Sequence, residues 1–228
     1  MQIGFNNDIR PILRGRDIKR YSYNWAGLWI INTHNGYIDS KGNKIPRVDI
    51  EEHPTLKLHF DSYYDKLIVR SDKGDTPYNL RNCAYIGDFA RQKIVYPNMA
   101  SEFVAVYDKE GYMTNQKCFI ITSETENLEY LTSVLNSKLN FWYFKLIGAT
   151  LGASGYEMSK IFVEKLPIIK PSFENSNLIK SITYLASEIL KFKKENKDAS
   201  LEAQEVDSMI YKLYNLSIEE IELIESKG

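Results

Sequence analysis

Apolar and polar positions follow one pattern in the first half of the chain and another in the second half. Up to about residue 122, short runs of β-branched and aromatic residues end at turn-forming residues, a pattern that predicts strands. The predicted strands are LWIIN (28–32), LIVR (67–70), CAYIG (83–87), KIVYP (93–97), FVAVYD (103–108) and CFIIT (118–122). The last two are predicted to form a hairpin through the turn at residues 108–111.

Beyond residue 122 the apolar positions follow a helical period. Ser123 and Glu126 have the spacing of a capping box, and leucines then recur at intervals of three and four until Gly148. A second amphipathic helix is predicted over residues 178–192. Two short helices are predicted to close the chain, one over residues 201–214 and one after Ser217, which has capping-box spacing with Glu220.

The order of these elements predicts the fold class. Strands followed by helices indicate an α+β fold, with a mixed, largely antiparallel sheet and packed helices. We expect a boundary near Pro171, with an α+β body over residues 1–170 and a helical appendage over residues 171–228. The apolar stripe of residues 178–192 is too long to remain in water, so we expect it to pack against a partner.

Composition indicates a soluble globular chain. Hydrophobic residues make up 43% and charged residues 26% of the sequence, and 228 residues can bury a core without a disulfide or a metal. Charges at residues 8, 10 and 14 interrupt the first apolar stretch, which argues against a signal peptide. No apolar run approaches the roughly 20 residues of a membrane span. We therefore expect a cytoplasmic protein in which Cys83 and Cys118 are reduced and buried.

The charges are unevenly distributed along the chain. Residues 1–100 contain 15 Lys and Arg against 11 Asp and Glu, whereas residues 171–228 contain 7 against 11. A surface that binds a polyanion needs cations that release condensed counterions. The distribution slightly favours nucleic-acid contact by the first part of the chain, with an acidic tail that repels DNA, but the asymmetry is modest and solvated surface charge explains it about as well.

The sequence contains no recognisable catalytic or cofactor motif. His53 and His59 have the wrong spacing for two metal ligands on one helix face, and no cysteine pair accompanies them. The glycines at 148, 152 and 155 follow a predicted helix rather than a strand, which indicates a flexible surface loop rather than a phosphate-binding loop. No Gly-x-Ser-x-Gly motif occurs, so a small metal-free hydrolase lacks an identifiable nucleophile.

Eight segments along the chain match, in the same order, the segments of a known family. They are ILRGRDIKRY (12–21), WAGLWII (25–31), KIVYPNM (93–99), residues 104–121, YLTSVLNSKLNFWYFK (130–145), LGASGY (151–156) with Lys160, EKLPI (164–168) and the tail at residues 206–216. Together they resemble the TaqI-like C-terminal specificity domain of Type IIG restriction-methyltransferases and related adenine-N6 DNA methyltransferases. The resemblance spans nearly the whole chain.

The resemblance implies a division of labour. In that family this domain reads DNA bases, while a separate domain binds S-adenosylmethionine and transfers the methyl group. The chain lacks the Asn/Asp-Pro-Pro-Tyr/Phe tetrapeptide and the Gly-rich cofactor loop of such a domain. We therefore expect no catalysis and no cofactor in this chain, which would be a C-terminal fragment or a separate specificity subunit. Its expected partners are double-stranded DNA and the methyltransferase and endonuclease domains of a parent enzyme.

Candidate DNA contacts lie in loops rich in Arg, Lys and Asn. The two loops expected to read bases contain Lys41, Lys44 and Arg47 in one, and Arg70, Lys73, Asn79, Arg81 and Asn82 in the other. Arginine pairs bidentately with guanine and asparagine with adenine in the major groove. A third loop, with Ser154, Tyr156 and Lys160, carries the residue types that contact phosphates.

Other interpretations remain open at this point. The acidic tail and the second amphipathic helix could instead dock a methyltransferase or nuclease partner, with little DNA affinity. Trp25, Trp29 and Trp142 are more typical of a core than of base-stacking platforms. Arg14 and Asp17 could form a structural ion pair in a turn or, alternatively, the segment could contact phosphate.

Overall fold

The chain folds into two compact units of α-helices and short antiparallel strands. The computed structural model describes residues 9–39, 41–152 and 155–226. Among these, the small unit contains residues 9–12, 27–91 and 111–113, and the large unit contains residues 13–26, 92–110 and 114–226. The predicted α+β class is confirmed, with the strands arranged in several small sheets.

The elements are numbered in chain order. The strands are β1 (Ile9–Leu13), β2 (Ile18–Lys19), β3 (Ser22–Tyr23), β4 (Trp29–Ile31), β5 (Tyr37–Ile38), β6 (Lys44–Ile45), β7 (Lys93–Pro97), β8 (Met99–Ala100), β9 (Val106–Asp108), β10 (Met113–Thr114), β11 (Cys118–Ile121), β12 (Ala149–Leu151) and β13 (Gly155–Glu157). The helices are α1 (Pro54–Asp61), α2 (Tyr64–Ile68), α3 (Leu128–Leu135), α4 (Lys138–Ile147), α5 (Lys160–Val163), α6 (Ser176–Lys194), α7 (Ser200–Leu213) and α8 (Ile218–Ser226).

Strand β7 is the centre of the large unit. All five of its residues are buried, and it pairs antiparallel with β11 on one side and β9 on the other. The predicted hairpin between residues 103–108 and 118–122 is therefore wrong, because both strands form their hydrogen bonds with β7. The side chains of Ile94, Tyr96, Phe103 and Phe144 contribute to the hydrophobic cluster built around this sheet.

The predicted continuous helix after residue 122 is two helices. Ser123 Oγ accepts a hydrogen bond from the Glu126 amide at 2.9 Å, but helix α3 begins only at Leu128, where Asn127 caps it. The helical course is interrupted after α3, and Ser137 caps α4 by accepting a hydrogen bond from the Asn140 amide. The periodicity of the leucines continues across this break, which is why it suggests a single helix.

Helix α6 confirms the prediction that its apolar stripe is packed. Ile182 and Ile189 of the predicted stripe are buried in a cluster to which α3 and α7 also contribute. The other stripe residues are only partly buried against that cluster, and the helix buries two neighbours as well; these residues are Leu178, Leu185 and Phe192, and Ile179 and Ala186. Residues 171–226 therefore belong to the same compact unit as α3, and the two units divide the chain at positions other than Pro171. That the tail acts as a separate domain stays a prediction. The capping box of Ser217 and Glu220 is present, with both of its hydrogen bonds.

Two predicted strands of the small unit are absent from the structure. Residues 67–70 contain the end of α2, and residues 83–87 lead into a 3₁₀ turn over Ile86–Ala90. Helices α1 and α2 were not predicted, although Pro54 lies at a position where proline favours the start of a helix. Short apolar runs do not distinguish strand from helix by themselves, because strand preference depends on the packing environment.

The described part of the glycine-rich segment after α4 contains two short strands, where the sequence predicts a loop. Strands β12 and β13 form a hairpin with Leu151 opposite Gly155, and β13 also pairs with β8. Gly152 has a φ of +63°, a backbone conformation that is strained for residues other than glycine. Ser154, one of the candidate DNA contacts, lies outside the described residues.

Both cysteines are free and half-buried, and burial raises the pKa of Cys118 to about 12. Of the helices in the described ranges, none has the length and apolar character that crossing a bilayer requires. Trp25 and Trp142 are half-buried, whereas Trp29 is exposed.

Candidate nucleic-acid interface

The structure distributes the candidate DNA contacts between the two units. The eight residues of the first two predicted loops lie in the small unit, and Tyr156 and Lys160 lie in the large unit. The two loops of the small unit are hairpin β5–β6 with the residues that follow it, and the segment over residues 70–82.

Asn79 anchors the segment over residues 70–82. Its side chain is almost completely buried, and its Nδ2 donates hydrogen bonds to the carbonyls of Val48 at 2.9 Å and His34 at 3.4 Å. Its Oδ1 accepts a hydrogen bond from Thr76 Oγ1 at 2.6 Å. With both ends of the amide occupied, Asn79 holds the loop in place and is not presented to a base edge in this conformation.

Arg70 and Lys73 also stabilise the loop rather than extend from it. Arg70 Nη2 donates a hydrogen bond to the Asn79 carbonyl at 2.7 Å. Lys73 Nζ donates to the carbonyl of Ile68, at the end of α2, at 2.6 Å. The Lys73 ammonium thus pairs with a carbonyl at the end of α2, and Arg70 adds a second hydrogen bond to the Asn79 carbonyl, which also accepts the Gly74 amide at 2.9 Å.

A polar network connects the two predicted loops. Asn35 Nδ2 donates hydrogen bonds to Asn82 Oδ1 at 2.7 Å and to Asp75 Oδ1 at 3.0 Å, and Asn35 Oδ1 accepts the Asp75 amide at 2.8 Å. Arg47 Nη1 lies 3.3 Å from Asp75 Oδ2. The network places Arg47 and Asn82, one from each loop, on a shared scaffold. Asn35 and Asp75 were missed by sequence analysis, although the Asn-Gly dipeptide at residues 35–36 is a turn signal.

The close packing of this network depends on Gly74. A Cβ atom at that position would lie 2.6 Å from both Asn35 Oδ1 and the Leu80 carbonyl oxygen, so a larger residue would force the segments apart. The hydrogen bond from Asn35, with the contribution of Arg47, lowers the pKa of Asp75 below its ordinary value. Asp75 therefore stays ionised and orients Arg47.

Three of the candidate cations in the small unit remain available. Lys41, Lys44 and Arg81 are exposed, and among the described residues none of them forms an ion pair or a side-chain hydrogen bond. The hairpin that carries the two lysines is fixed by Asp39, whose Oδ1 accepts the amides of Lys41 and Asn43, both at 2.8 Å. The scaffold is thus ordered, while its cationic side chains are free to contact a ligand.

The two candidates of the large unit have different environments. The ring of Tyr156 packs edge-on against Phe141, with centroids 5.6 Å apart, and it also contacts Phe144. This side chain contributes mainly to the hydrophobic cluster. Lys160 is the first residue of α5; it is exposed and has no ion-pair partner in the described part of the chain.

Polar residues from three of the segments that carry the family resemblance meet inside the large unit. Arg20 donates from Nε to the Asn136 carbonyl at 2.9 Å and from Nη2 to Asp207 at 2.9 Å. The buried Asn136 side chain exchanges two hydrogen bonds with the backbone of Ala105, and Asp207 accepts the Lys138 amide at 3.0 Å. We call Arg20, Asn136 and Asp207 the motif hub. Its members bind one another and the backbone, so they are architectural.

The turn at residues 14–17 is likewise a structural feature. Arg14 Nη2 lies 2.7 Å from Asp17 Oδ1, and the buried Asp17 carboxylate also accepts the Arg14 amide. Although burial opposes ionisation of Asp17, the hydrogen bonds from Arg14 lower its pKa below the ordinary value. Within the described ranges, no three His, Cys, Asp or Glu side chains are grouped so that they could hold a metal ion.

Comparison with known proteins gives a consistent picture. The family described as the TaqI-like C-terminal specificity domain matches residues 10–168. The crystal structure of the type IIG restriction endonuclease BpuSI matches with a TM-score of 0.51 and 13% sequence identity. The match covers 90% of this chain and 26% of the BpuSI chain, so this chain corresponds to about a quarter of that protein. No curated protein sequence matches the chain.

Proposed function

The chain belongs to the family of TaqI-like C-terminal specificity domains, and we propose that it recognises a specific sequence in duplex DNA for a restriction-modification enzyme. The observation that carries this proposal is the arrangement of Arg81 and Asn82. Both are exposed at the end of a loop that Asn79 anchors from inside the small unit. A base-reading side chain needs such a combination of fixed backbone and accessible polar group.

The chemistry of these side chains fits base edges in the major groove. An arginine such as Arg81 presents two parallel donors to the O6 and N7 of guanine. Asn82 has an exposed amide suited to adenine; its Oδ1 accepts the hydrogen bond from Asn35, which orients it, and keeps a second lone pair for the adenine amino group. Arg47, oriented by Asp75, is a further candidate for guanine. We assign no base-reading role to Asn79, Arg70 and Lys73, because loop contacts occupy their polar groups.

Other cations are better suited to the DNA backbone. Lys41 and Lys44 lie on an exposed hairpin, and a flexible ammonium group suits a phosphate, which carries no sequence information. We assign the same role to Lys160 in the large unit. We expect these contacts to set the position of the protein on the duplex.

We further propose that methyl transfer and cleavage belong to other domains of a parent enzyme. A specificity domain recognises the target, and the chain contains neither the tetrapeptide nor the cofactor loop of an adenine methyltransferase. The proposed partners are therefore the methyltransferase and endonuclease domains of a Type IIG enzyme in the cytoplasm. The adenine specificity of that methyltransferase is part of the same proposal.

A second candidate function is docking of a partner domain by the tail. It is favoured by the exposure of large apolar side chains there, which include Tyr184, Leu201 and Ile218. Such side chains on a surface mark potential protein contacts when they form a patch. In this case the chain would bind a methyltransferase or nuclease domain and have little affinity for DNA.

A salt titration separates the two functions. Fluorescence anisotropy of a labelled duplex should show binding by the full chain that weakens steeply as salt increases, because counterions are released on binding. Lys160→Ala should reduce the slope of log K against log salt by about one unit. Absence of duplex binding at low salt, together with salt-insensitive binding to a methyltransferase domain, would support the docking function instead.

A further inference from the structure

The large unit contains a basic cleft that the sequence does not suggest. It has a volume of about 830 Å³ and lies beside the β2–β3 turn and the C-terminal end of α6. The cationic side chains that line it are Lys19, Arg20, Lys193, Lys194 and Lys197, and its acidic ones are Glu102 and Glu110. Most of these cations belong to the tail, whose average charge is negative.

Two of the five cations are available to a ligand. Arg20 is paired with Asp207, Lys194 with Glu110 and Lys197 with Glu195. By contrast, Lys19 and Lys193 are exposed, and neither forms a hydrogen bond or an ion pair through its ammonium group within the described part of the chain. The free cations thus come from two elements that are distant in sequence.

The helix dipole explains part of this arrangement. Lys191, Lys193 and Lys194 lie in the last turn of α6, where the partial negative charge of the helix end favours cations. That effect does not account for Lys19, which reaches the same cleft from β2. Positive charge contributed by two separate elements to one open cleft indicates a site for an anion.

We propose that this cleft binds phosphate groups of the DNA backbone, as a contact additional to those of the small unit and of Lys160. The inference rests on the proposed function and extends it to a surface of the tail. Lysine ammonium groups are suited to phosphates as point charges, and contacts of this kind do not depend on base sequence. The negative average charge of residues 171–228 conceals the site, because no acidic residue in the described part of that segment lines the cleft, although Glu195 and Asp207 pair with two of its cations.

The test uses the full chain and a labelled duplex of about 30 random base pairs, because phosphate contacts are independent of sequence. The test variant combines Lys19→Gln with Lys193→Gln. The matched control combines Lys180→Gln with Lys212→Gln, which removes the same charge from exposed lysines outside the cleft. Lys180 lies on α6 about 20 Å before Lys193, from the helical rise of about 1.5 Å per residue.

If the cleft holds two phosphates, the test variant should bind more weakly than the control. Its loss of affinity between about 50 and about 200 mM salt should be about tenfold smaller than that of the wild type, since each lost contact removes a factor of about 3.5. A variant that combines Lys19→Arg with Lys193→Arg should keep the affinity and the salt dependence of the wild type, because both positive charges are retained. Glu110→Gln, which removes a carboxylate from the cleft, should strengthen binding, an effect that general destabilisation would not produce.

The possible failures are distinguishable. If the wild type binds the duplex and the test variant behaves like the control, the cleft is not a DNA contact, while the proposed function stands. If inorganic tripolyphosphate binds the wild type but not the test variant and duplex binding is unchanged, the site takes a small anion and our inference is wrong. If the wild type binds no duplex at low salt, both the inference and the proposed function fail.

Discussion

One ion pair from each unit shows how differently such pairs are exposed. Lys93 and Asp108 in the large unit form a pair with no exposed surface, whereas Arg47 and Asp75 in the small unit leave 50% and 61% of their side chains exposed. Asn136 and Asn82 differ in the same way, since Asn136 is buried in the motif hub and Asn82 is exposed. The buried pair and Asn136 stabilise the fold, whereas Arg47 and Asn82 remain accessible to a ligand.

This difference explains why the segments that carry the family resemblance do not by themselves indicate the residues that we propose to read DNA. Arg20, Asn136 and Asp207 belong to the segments that carry the family resemblance, yet their polar atoms are used within the domain. The small-unit side chains that we propose to contact DNA lie in loops outside those segments.

The largest expected effect concerns the buried ion pair. Lys93→Met should lower the free energy of unfolding by about 3–5 kcal/mol, because it leaves the Asp108 carboxylate buried without its cation. The matched change in the exposed pair, Arg47→Met, should cost about 0–1 kcal/mol. Urea denaturation of both variants measures the difference. Equal losses of unfolding free energy would mean that burial does not make the Lys93–Asp108 pair more important to stability than the Arg47–Asp75 pair.

The next effect concerns the motif hub. Asn136→Ala should lower the free energy of unfolding by about 2–4 kcal/mol, because the amide and carbonyl of Ala105 lose their buried partner. Asn82→Ala serves as the control and should change stability by no more than about 0.5 kcal/mol. A small effect of Asn136→Ala on the denaturation midpoint would argue against an architectural role.

A smaller loss is expected inside the small unit. Asn79→Ala should cost about 1–3 kcal/mol, since it removes the donor to the carbonyls of Val48 and His34. Amide hydrogen exchange should become faster in residues 70–82 and remain unchanged in α6. If stability and exchange were unaffected while DNA preference changed, Asn79 would be a base-reading residue, as the sequence suggests.

Sequence reasoning works best where one side-chain pattern determines the environment. Strand β7 is predicted with its observed bounds because a continuous apolar run between turn residues fits a fully buried strand. The apolar stripe of α6 is equally informative, because it has to be buried. Residues 128–147 show the limit: the leucine period continues while Asn136 and Ser137 separate two helices.

The candidate site is harder to predict, because neighbouring residues of one type have different roles. Asn79 and Asn82 are the same residue type and lie three positions apart, yet Asn79 is buried and Asn82 is exposed. Their difference arises from contacts with Val48, His34 and Asn35, which are distant along the chain. Such contacts become visible only in the folded structure.

The central claim is that exposed loop residues of the small unit read DNA bases. Its most direct test is a binding selection from a randomised duplex library, performed with the wild type, Arg81→Ala and Lys41→Ala. Arg81→Ala should relax the preference at one guanine position by about 1–3 kcal/mol and leave the other positions unchanged, whereas Lys41→Ala should weaken binding to all sequences alike. If Arg81→Ala leaves the selected sequence unchanged, or lowers affinity for every sequence equally, then Arg81 does not read a base and the claim is contradicted.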